Sequence, residues 1–261
     1  MSRVKIAVMI AAALAASGCG IFKKSAPKTP TIGERIPVLA SEVDVTPDQA
    51  TQALPMNLPE PVANTEWAQS GGNASKSMGH LALGNDLGEA FRISIGPGSN
   101  LRARLAAPPV VADGRVYTIN TFSVVRAFDA QTGAKIWETQ FGTEKGNFGS
   151  LFGGGVAYAG GRIFATNGLG FAAALDATNG GIVWQVRPGG PLRGAPTVAG
   201  DAVYVMSQDN QIYSLKASDG ATNWSNAAAL EIAGVFGTAA PAYAQGTVVA
   251  GFSSGELNAY R

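Results

Sequence analysis

One eleven-residue motif occurs three times in this chain, and its recurrence constrains the fold more than any other feature. Each copy has alanine at its fourth position, glycine at its seventh and tryptophan at its eleventh. The copies occupy residues 127–137, 174–184 and 214–224. Their tryptophans recur after 47 and then 40 residues. Self-similarity at such a period indicates a repeat architecture, in which each copy is part of one supersecondary unit.

The motif has the composition of two β-strands joined by a tight turn. An apolar pair ends the first strand, a short polar run follows, and a glycine supplies the positive φ that closes the hairpin. The turn glycines are Gly133, Gly180 and Gly220. We predict that Asp129, Thr132 and Asp176 hydrogen-bond backbone N–H groups of these turns, and we favour this structural role over metal or cofactor binding.

The tryptophan that ends each copy is a large apolar plate at an equivalent position. Because a single thin sheet cannot bury both of its faces, we predict that these rings pack between neighbouring repeats. Phe91 lies 46 residues before Trp137, so it is assigned the same role. The four predicted docking residues are Phe91, Trp137, Trp184 and Trp224.

A matching pair of short strands lies upstream of each motif. These pairs start near residues 109, 156, 196 and 241, and each reads as a strand, a tight turn, and a β-branched and aromatic strand. With a third strand and the tryptophan strand, every repeat contains four strands. Four strands at a period near 45 residues are typical of a β-propeller blade. The predicted fold is therefore all-β, a propeller of four-stranded antiparallel blades over residues 66–261.

Two ring architectures are compatible with this pattern. The fourth repeat reaches only its third strand at Tyr260, and the segment 87–95 before the first repeat matches a fourth strand. Either four blades close on themselves through that segment, or the chain carries about four blades of a seven- or eight-bladed ring. The repeat type favours the second, incomplete arrangement, since such rings need on the order of 350 residues.

Composition excludes several classes of function. Nineteen Lys and Arg residues against 18 Asp and Glu give a net charge of +1, so no strong field attracts nucleic acid. The single cysteine, Cys19, allows no internal disulfide. The single histidine, His80, allows no histidine-based metal cluster or catalytic pair, and it is interpreted as a polar loop residue.

The N-terminus has the features of an export signal. Arg3 and Lys5 precede an apolar run, Ile6–Ala16, that is too short to span a bilayer. The following segment, Ala16-Ser17-Gly18-Cys19, resembles a bacterial lipoprotein signal, although Ala16 stands where that family usually has leucine. The resemblance predicts a signal peptide at 1–18 and lipidation of Cys19. An ordinary signal peptide with an incidental cysteine is the alternative. Residues 19–65 are rich in proline and are predicted to form a tether.

The repeat pattern Ala-x-Asp-x-x-Thr-Gly-x-x-x-Trp resembles that of pyrroloquinoline-quinone (PQQ)-type propellers. Together with the lipoprotein signal, the proline-rich segment and the residues Trp67-x-Gln-Ser-Gly-Gly-Asn and Met78-Gly79-His80, the chain resembles BamB-like lipoproteins. This resemblance implies a non-enzymatic scaffold without a cofactor, anchored by lipid to the periplasmic face of the outer membrane. It further implies contact with BamA, with other components of the β-barrel assembly (BAM) complex and with unfolded outer-membrane proteins.

Two other functions compete with the scaffold. A PQQ-dependent dehydrogenase is disfavoured, because such enzymes resemble one another in adjacent cysteines and a carboxylate-rich calcium site. Here Cys19 is the only cysteine, and Lys216 stands in register with Asp129 and Asp176. A generic periplasmic protein-binding propeller is the third possibility. The loop from Phe141 to Gly155 is a candidate contact surface because it is long and polar with Phe148 and Phe152 on it, although buried phenylalanine anchors would explain it equally well.

Overall fold

The computed structural model describes two compact units separately. The first is Met1–Met56 and the second is Asn57–Arg261. The described residues are 48–101, 103–105, 107–143, 152–231 and 240–261. In the first unit, helix α1 spans Gln49–Gln52, and the carboxylate of Asp48 caps it by accepting a hydrogen bond from the Thr51 backbone N–H at 3.1 Å. Within these ranges no helix has the length and apolar character to cross a membrane.

The second unit is built from four consecutive antiparallel sheets. The first contains β1 (Val110–Ala112), β2 (Arg115–Ile119), β3 (Val124–Asp129) and β4 (Lys135–Gln140). The second contains β5 (Gly154–Ala159), β6 (Arg162–Asn167), β7 (Ala172–Asp176) and β8 (Ile182–Val186). The third contains β9 (Thr197–Ala199), β10 (Ala202–Met206), β11 (Gln211–Lys216) and β12 (Thr222–Ala227). The last has three described strands, β13 (Ala242–Ala244), β14 (Thr247–Gly251) and β15 (Leu257–Tyr260).

Each sheet is a simple meander in which strands pair in chain order. The first hairpin turns at Asp113 and Gly114, whose φ values of +49° and +67° are those of a two-residue turn matched to the strand twist. A register shift occurs in the same place in three sheets, where the motif turn begins, for example between Ala127 and Phe128. The prediction of an all-β chain of four-stranded antiparallel blades is confirmed.

The hydrophobic core lies between neighbouring sheets rather than within one sheet. Three separate clusters of buried side chains join the first sheet to the second, the second to the third, and the third to the fourth. Val110 and Ile163, for example, are fully buried in the first cluster, and Leu215 in the second. Each blade therefore gains its apolar burial from its neighbours, as expected of a repeat protein.

The segment before the first sheet differs from the expected fourth strand. Residues 87–95 form no strand, because no described strand makes a hydrogen-bonded ladder with them. The segment is held by side chains instead. Asn120 Nδ2 donates to the Ile95 carbonyl at 3.2 Å, and an Arg126 guanidinium N–H donates to the same oxygen.

The first strand of each sheet leaves one backbone N–H facing away from its own sheet. In the first sheet Ala112 and Arg115 form the pair that closes the hairpin, so the N–H and C=O of Val111 point to the open side. Trp67 pairs with Val111 there in an antiparallel bridge. Unpaired edge groups of this kind need a partner when they are removed from water.

One short segment, Trp67–Ala74, supplies that partner to all four sheets, and we call it the inner strap. The four bonds are Val111 N to Trp67 O (2.9 Å), Tyr158 N to Ala68 O (2.7 Å), Val198 N to Gln69 Oε1 (3.0 Å) and Tyr243 N to Ala74 O (2.8 Å). The four donors occupy the same place in their hairpins, one residue before the closing pair. The inner strap thus links successive blades along their first strands.

Gln69 makes its contact through its side chain instead of its backbone. Its Oε1 accepts from Val198 N, and its Nε2 donates to Val198 O at 2.8 Å. The residue is only 6% exposed. Its amide therefore replaces a backbone peptide group, since an amide offers a donor and an acceptor side by side.

We predict that Gln69→Glu destabilises the second unit by about 1–3 kcal/mol at neutral pH, because a carboxylate cannot donate to Val198 O and is buried without a counter-charge. Protonation restores one donor, so the loss should shrink at acidic pH. Denaturant unfolding at pH 8 and at pH 4.5 measures both effects. Gln52→Glu, at an exposed glutamine of α1, is the control. Equal stability of both variants would contradict the bidentate role.

Candidate functional site

The sequence predicted that the motif tryptophans pack between neighbouring repeats, and we call the contact between two neighbouring sheets a seam. Trp137 of β4 is 8% exposed and lies against Gly180 of the next sheet. A Cβ on Gly180 would come within 2.5 Å of the Trp137 ring, so glycine is needed for the contact as well as for its φ of +76°. The indole Nε1 donates to Ala177 O at 3.0 Å. The ring therefore joins two blades by packing and by a hydrogen bond.

The same contact recurs along the chain. Trp184, also 8% exposed, lies against Gly220, and its Nε1 donates to Ala217 O at 2.9 Å. Phe91 lies against Gly133, where a Cβ would come within 2.9 Å of its ring. Phe91 thus packs on the turn glycine of the first sheet, although its segment forms no strand.

Trp224 has a different environment. It is half-buried, and its ring lies 6.1 Å from that of Tyr204 and 5.5 Å from that of Tyr260. Tyr260 ends β15 of the fourth sheet, so Trp224 also packs across a seam.

An arginine strengthens each of the first two seams, and the sequence analysis did not identify it. Arg115 Nη1 donates to Ala177 O at 2.6 Å, and Arg162 Nη1 donates to Ala217 O at 2.9 Å. Each carbonyl thus accepts from a tryptophan and an arginine of the preceding blade. The shared Gly-Arg step after the first hairpins, at Gly114 and Gly161, was the available sequence signal.

The motif aspartates form turns, as their positions suggest. Asp129 Oδ1 accepts from the backbone N–H groups of Gln131 and Thr132 and from the Thr132 hydroxyl, and these bonds lower its pKa. Asp176 makes the corresponding bonds with Thr178 N and Asn179 N, and hydrogen bonds from Thr178 are the main cause of its lowered pKa. Over the described ranges, no cluster of three His, Cys, Asp or Glu residues is arranged to hold a metal ion.

The other residues singled out from sequence lie in varied places. His80 Nδ1 is 2.7 Å from the Pro59 carbonyl, on an exposed loop. Phe141 is buried, whereas Phe152 is 37% exposed. Phe148 and Cys19 lie outside the described residues. In the sequence the inner strap is visible only as a run that resembles a family motif, and residue spacing does not predict its contacts with four separated strands.

Lys76, which follows the inner strap, is an unusual buried cation. Its Nζ is buried and has no hydrogen-bond partner in the part of the chain that the structure describes. Burial lowers the pKa of Lys76 to about 8. The ammonium form is therefore destabilised in the folded state.

Comparison with known proteins agrees with this architecture. A family model described as outer membrane protein assembly factor BamB matches residues 121–261. The match covers more than half of the chain and includes all three copies of the motif tryptophan. The chain belongs to the BamB family.

This chain matches less than half the length of each of the following two relatives. The assembly factor BamB of Salmonella typhimurium is 29% identical over 146 residues, 55% of this chain and 24% of that relative. BamB of Moranella endobia is 26% identical over 155 residues, 58% of this chain and 40% of that relative. Among solved structures, a europium-containing methanol dehydrogenase matches with a TM-score of 0.52 at 21% identity, covering 62% of this chain and 32% of that one. This last likeness concerns the fold alone.

We predict that Gly180→Ala lowers the free energy of unfolding more than Gly161→Ala. Both glycines have positive φ, +76° and +73°, but a Cβ on Gly161 meets nothing within 4 Å. The shared backbone strain costs about 1–2 kcal/mol, and displacement of Trp137 adds about 1–3 kcal/mol in Gly180→Ala alone. Urea unfolding of the two variants measures the difference. Equal losses would mean that the tryptophan contact does not join the blades.

A second prediction concerns Lys76. Because its folded-state pKa of about 8 lies below the unfolded value, the destabilisation is fully present below pH 8 and is relieved as pH rises towards about 10.5. Lys76→Met should therefore be more stable than the wild type at pH 7, with the gap narrowing above pH 8. Unfolding free energies of both proteins across pH 7–10 test this. A constant gap would show that Lys76 is solvated in the native state.

Proposed function

We propose that this chain is a non-enzymatic scaffold in the assembly of outer-membrane β-barrel proteins. The observation that carries the proposal is the family match over residues 121–261, the part that contains the repeated seams. Two relatives are named as assembly factors. We propose that the scaffold contacts BamA and other BAM components and helps to present unfolded outer-membrane proteins.

The geometry supports recognition of proteins. Blades joined by buried aromatic seams form a rigid frame, and rigid frames with loops at their rims are suited to binding. The outer strand β8 also presents apolar side chains to solvent, since Ile182 and Val183 are each 46% exposed. Exposed strand edges of this kind can pair with an extended segment of another chain.

The proposal of a non-enzymatic role is supported by the inner strap and the turns. PQQ enzymes share the fold, as the methanol dehydrogenase match illustrates. Here the inner strap accepts hydrogen bonds from the first strand of each of the four sheets. The motif carboxylates accept hydrogen bonds from backbone N–H groups of their own turns. At the corresponding position of the third motif a lysine, Lys216, replaces the carboxylate.

We further propose that residues 1–18 are a signal peptide, that Cys19 carries the lipid, and that residues 19–65 tether the propeller, residues 66–261, to the periplasmic face of the outer membrane. Two or more acyl chains make a stable anchor. A tether raises the effective concentration of the propeller at a membrane-embedded partner, so a modest affinity is sufficient.

The proposal predicts that the affinity-tagged full chain co-purifies with BamA from detergent-solubilised outer membranes, and that its deletion lowers porin levels. Cys19→Ala is the matched variant. It should remain uncleaved by the lipoprotein peptidase and unlabelled by fatty acid, be lost from the outer membrane and recover much less BamA.

Recovery of other assembly lipoproteins with BamA from the same extract serves as the positive control. Absence of BamA from the tagged sample under those conditions would contradict the scaffold and favour a binding propeller with another partner. Saturable, calcium-dependent binding of PQQ to the purified chain would instead favour the dehydrogenase.

A further inference from the structure

The seam between the second and third sheets contains an open cleft. Its volume is about 320 Å³. Phe164, Val198 and Ala217 provide apolar walls, and Arg162 is the only charged residue among the described residues that line it. This volume is at the small end of ligand pockets, which span about 300–1,000 Å³. It suits one side chain better than a larger molecule.

The two neighbouring seams show what normally fills this position. In the first seam the ring of Tyr158 stacks on Tyr117, with centroids 6.0 Å apart and planes inclined by 16°. In the third seam Tyr243 stacks on Tyr204 at 5.8 Å and 18°. In both, a tyrosine from the first strand of one blade covers an aromatic residue from the second strand of the preceding blade.

The middle seam has the same backbone but a smaller side chain. Tyr158, Val198 and Tyr243 occupy the same hairpin position, each one residue before the closing pair. Phe164 of β6 corresponds to Tyr117 and Tyr204. Its ring centroid lies 6.0 Å from that of Trp184, and the two tyrosines contact the tryptophans of their own sheets in the same way. Valine therefore leaves an unfilled cleft where the neighbouring seams have a ring, although Phe164 and Val198 are themselves only 2% and 4% exposed.

The polar groups at the cleft also differ from those of the first seam. There the Tyr158 hydroxyl donates to the carboxylate of Asp113, which raises the pKa of Tyr158 to about 12. The counterpart of Asp113 in the middle seam is Gly160, so a phenol would find no carboxylate acceptor. Since the walls of the cleft are apolar, phenylalanine loses no carboxylate hydrogen bond there relative to tyrosine.

Arg162 supplies the charge that a partner can use. Among the described residues it hydrogen-bonds through Nη1 alone, to Ala217 O at 2.9 Å and Ser218 O at 3.4 Å. Its Nε and Nη2 hydrogens remain for an external acceptor. Asp201 and Asp219 are exposed residues of nearby turns and do not line the cleft. The cleft is thus complementary to a carboxylate beside an aromatic ring.

We propose that this cleft binds a phenylalanine side chain from an extended segment of another protein, with an acidic residue next to that phenylalanine. The ring fills the cleft beside Phe164, in the place that Tyr158 and Tyr243 take in the neighbouring seams, and the carboxylate pairs with Arg162. The site goes beyond the scaffold function proposed above and does not require any component of the assembly machinery.

The direct test is calorimetric or NMR titration of the purified full chain with the peptide acetyl-Gly-Ser-Phe-Asp-Ser-Gly-amide. Replacing the peptide phenylalanine by alanine should weaken binding roughly tenfold or more, because a buried aromatic ring is lost. Replacing its aspartate by asparagine should weaken binding about threefold, as expected for a partly exposed ion pair. Arg162→Gln should remove the preference for aspartate over asparagine.

Val198→Tyr is the decisive protein variant. It places in the cleft the residue found in both neighbouring seams, so it should abolish peptide binding while the melting temperature stays the same or rises. Val183→Tyr makes the same substitution on the exposed face of β8 and should leave binding unchanged.

Three outcomes would overturn the proposal: no saturable binding of the peptide to the wild type at millimolar concentration, wild-type affinity in a folded Val198→Tyr variant, or an aspartate preference that persists in Arg162→Gln. Because only the purified chain is used, none of these outcomes bears on co-purification with BamA.

Discussion

The contact between a tryptophan and the turn glycine of the next sheet is the interaction on which the rest of this structure depends. Trp137 and Trp184 each cover a glycine that cannot accept a Cβ, and each donates to a carbonyl beside that turn. The same eleven residues therefore contain both halves of the joint, the glycine of one seam and the tryptophan of the next. A chain that repeats the motif assembles blade upon blade, because each unit offers the surface that its successor needs.

This packing leaves the first strand of each sheet with unpaired backbone groups, and the inner strap resolves that problem. Its eight residues reach four blades, and at the third blade the amide of Gln69 replaces the backbone. Segments far apart in the sequence, such as Gln69 and Val198, thereby become direct partners. We expect these long-range bonds to form late in folding, since the four hairpins must already be in place.

The seams are alike in backbone and differ in side chains, and the differences point to function. The first and third seams are completed by tyrosines, whereas the middle seam has valine and an open cleft beside Arg162. A repeat protein can carry a binding site in this way with little loss of stability. The contacts of the neighbouring repeats still stabilise the fold when one repeat has a smaller side chain at this position. Such a site is consistent with a family whose members are named as assembly factors.

The sequence alone determined the class of fold and the four repeated sets of strands, because these depend on local turn chemistry and on a period that is visible in the residues. It did not reveal that residues 87–95 lack a strand, that the tryptophans pack on the turn glycines of the next sheet, that Gln69 pairs with Val198, or that the ammonium nitrogen of Lys76 is buried. It also showed a valine at residue 198 without showing that this residue stands where two tyrosines stack. Those features depend on which distant segments meet across a seam, and only the tertiary structure decides that, because hydrogen bonding and burial act between neighbours in space rather than along the chain.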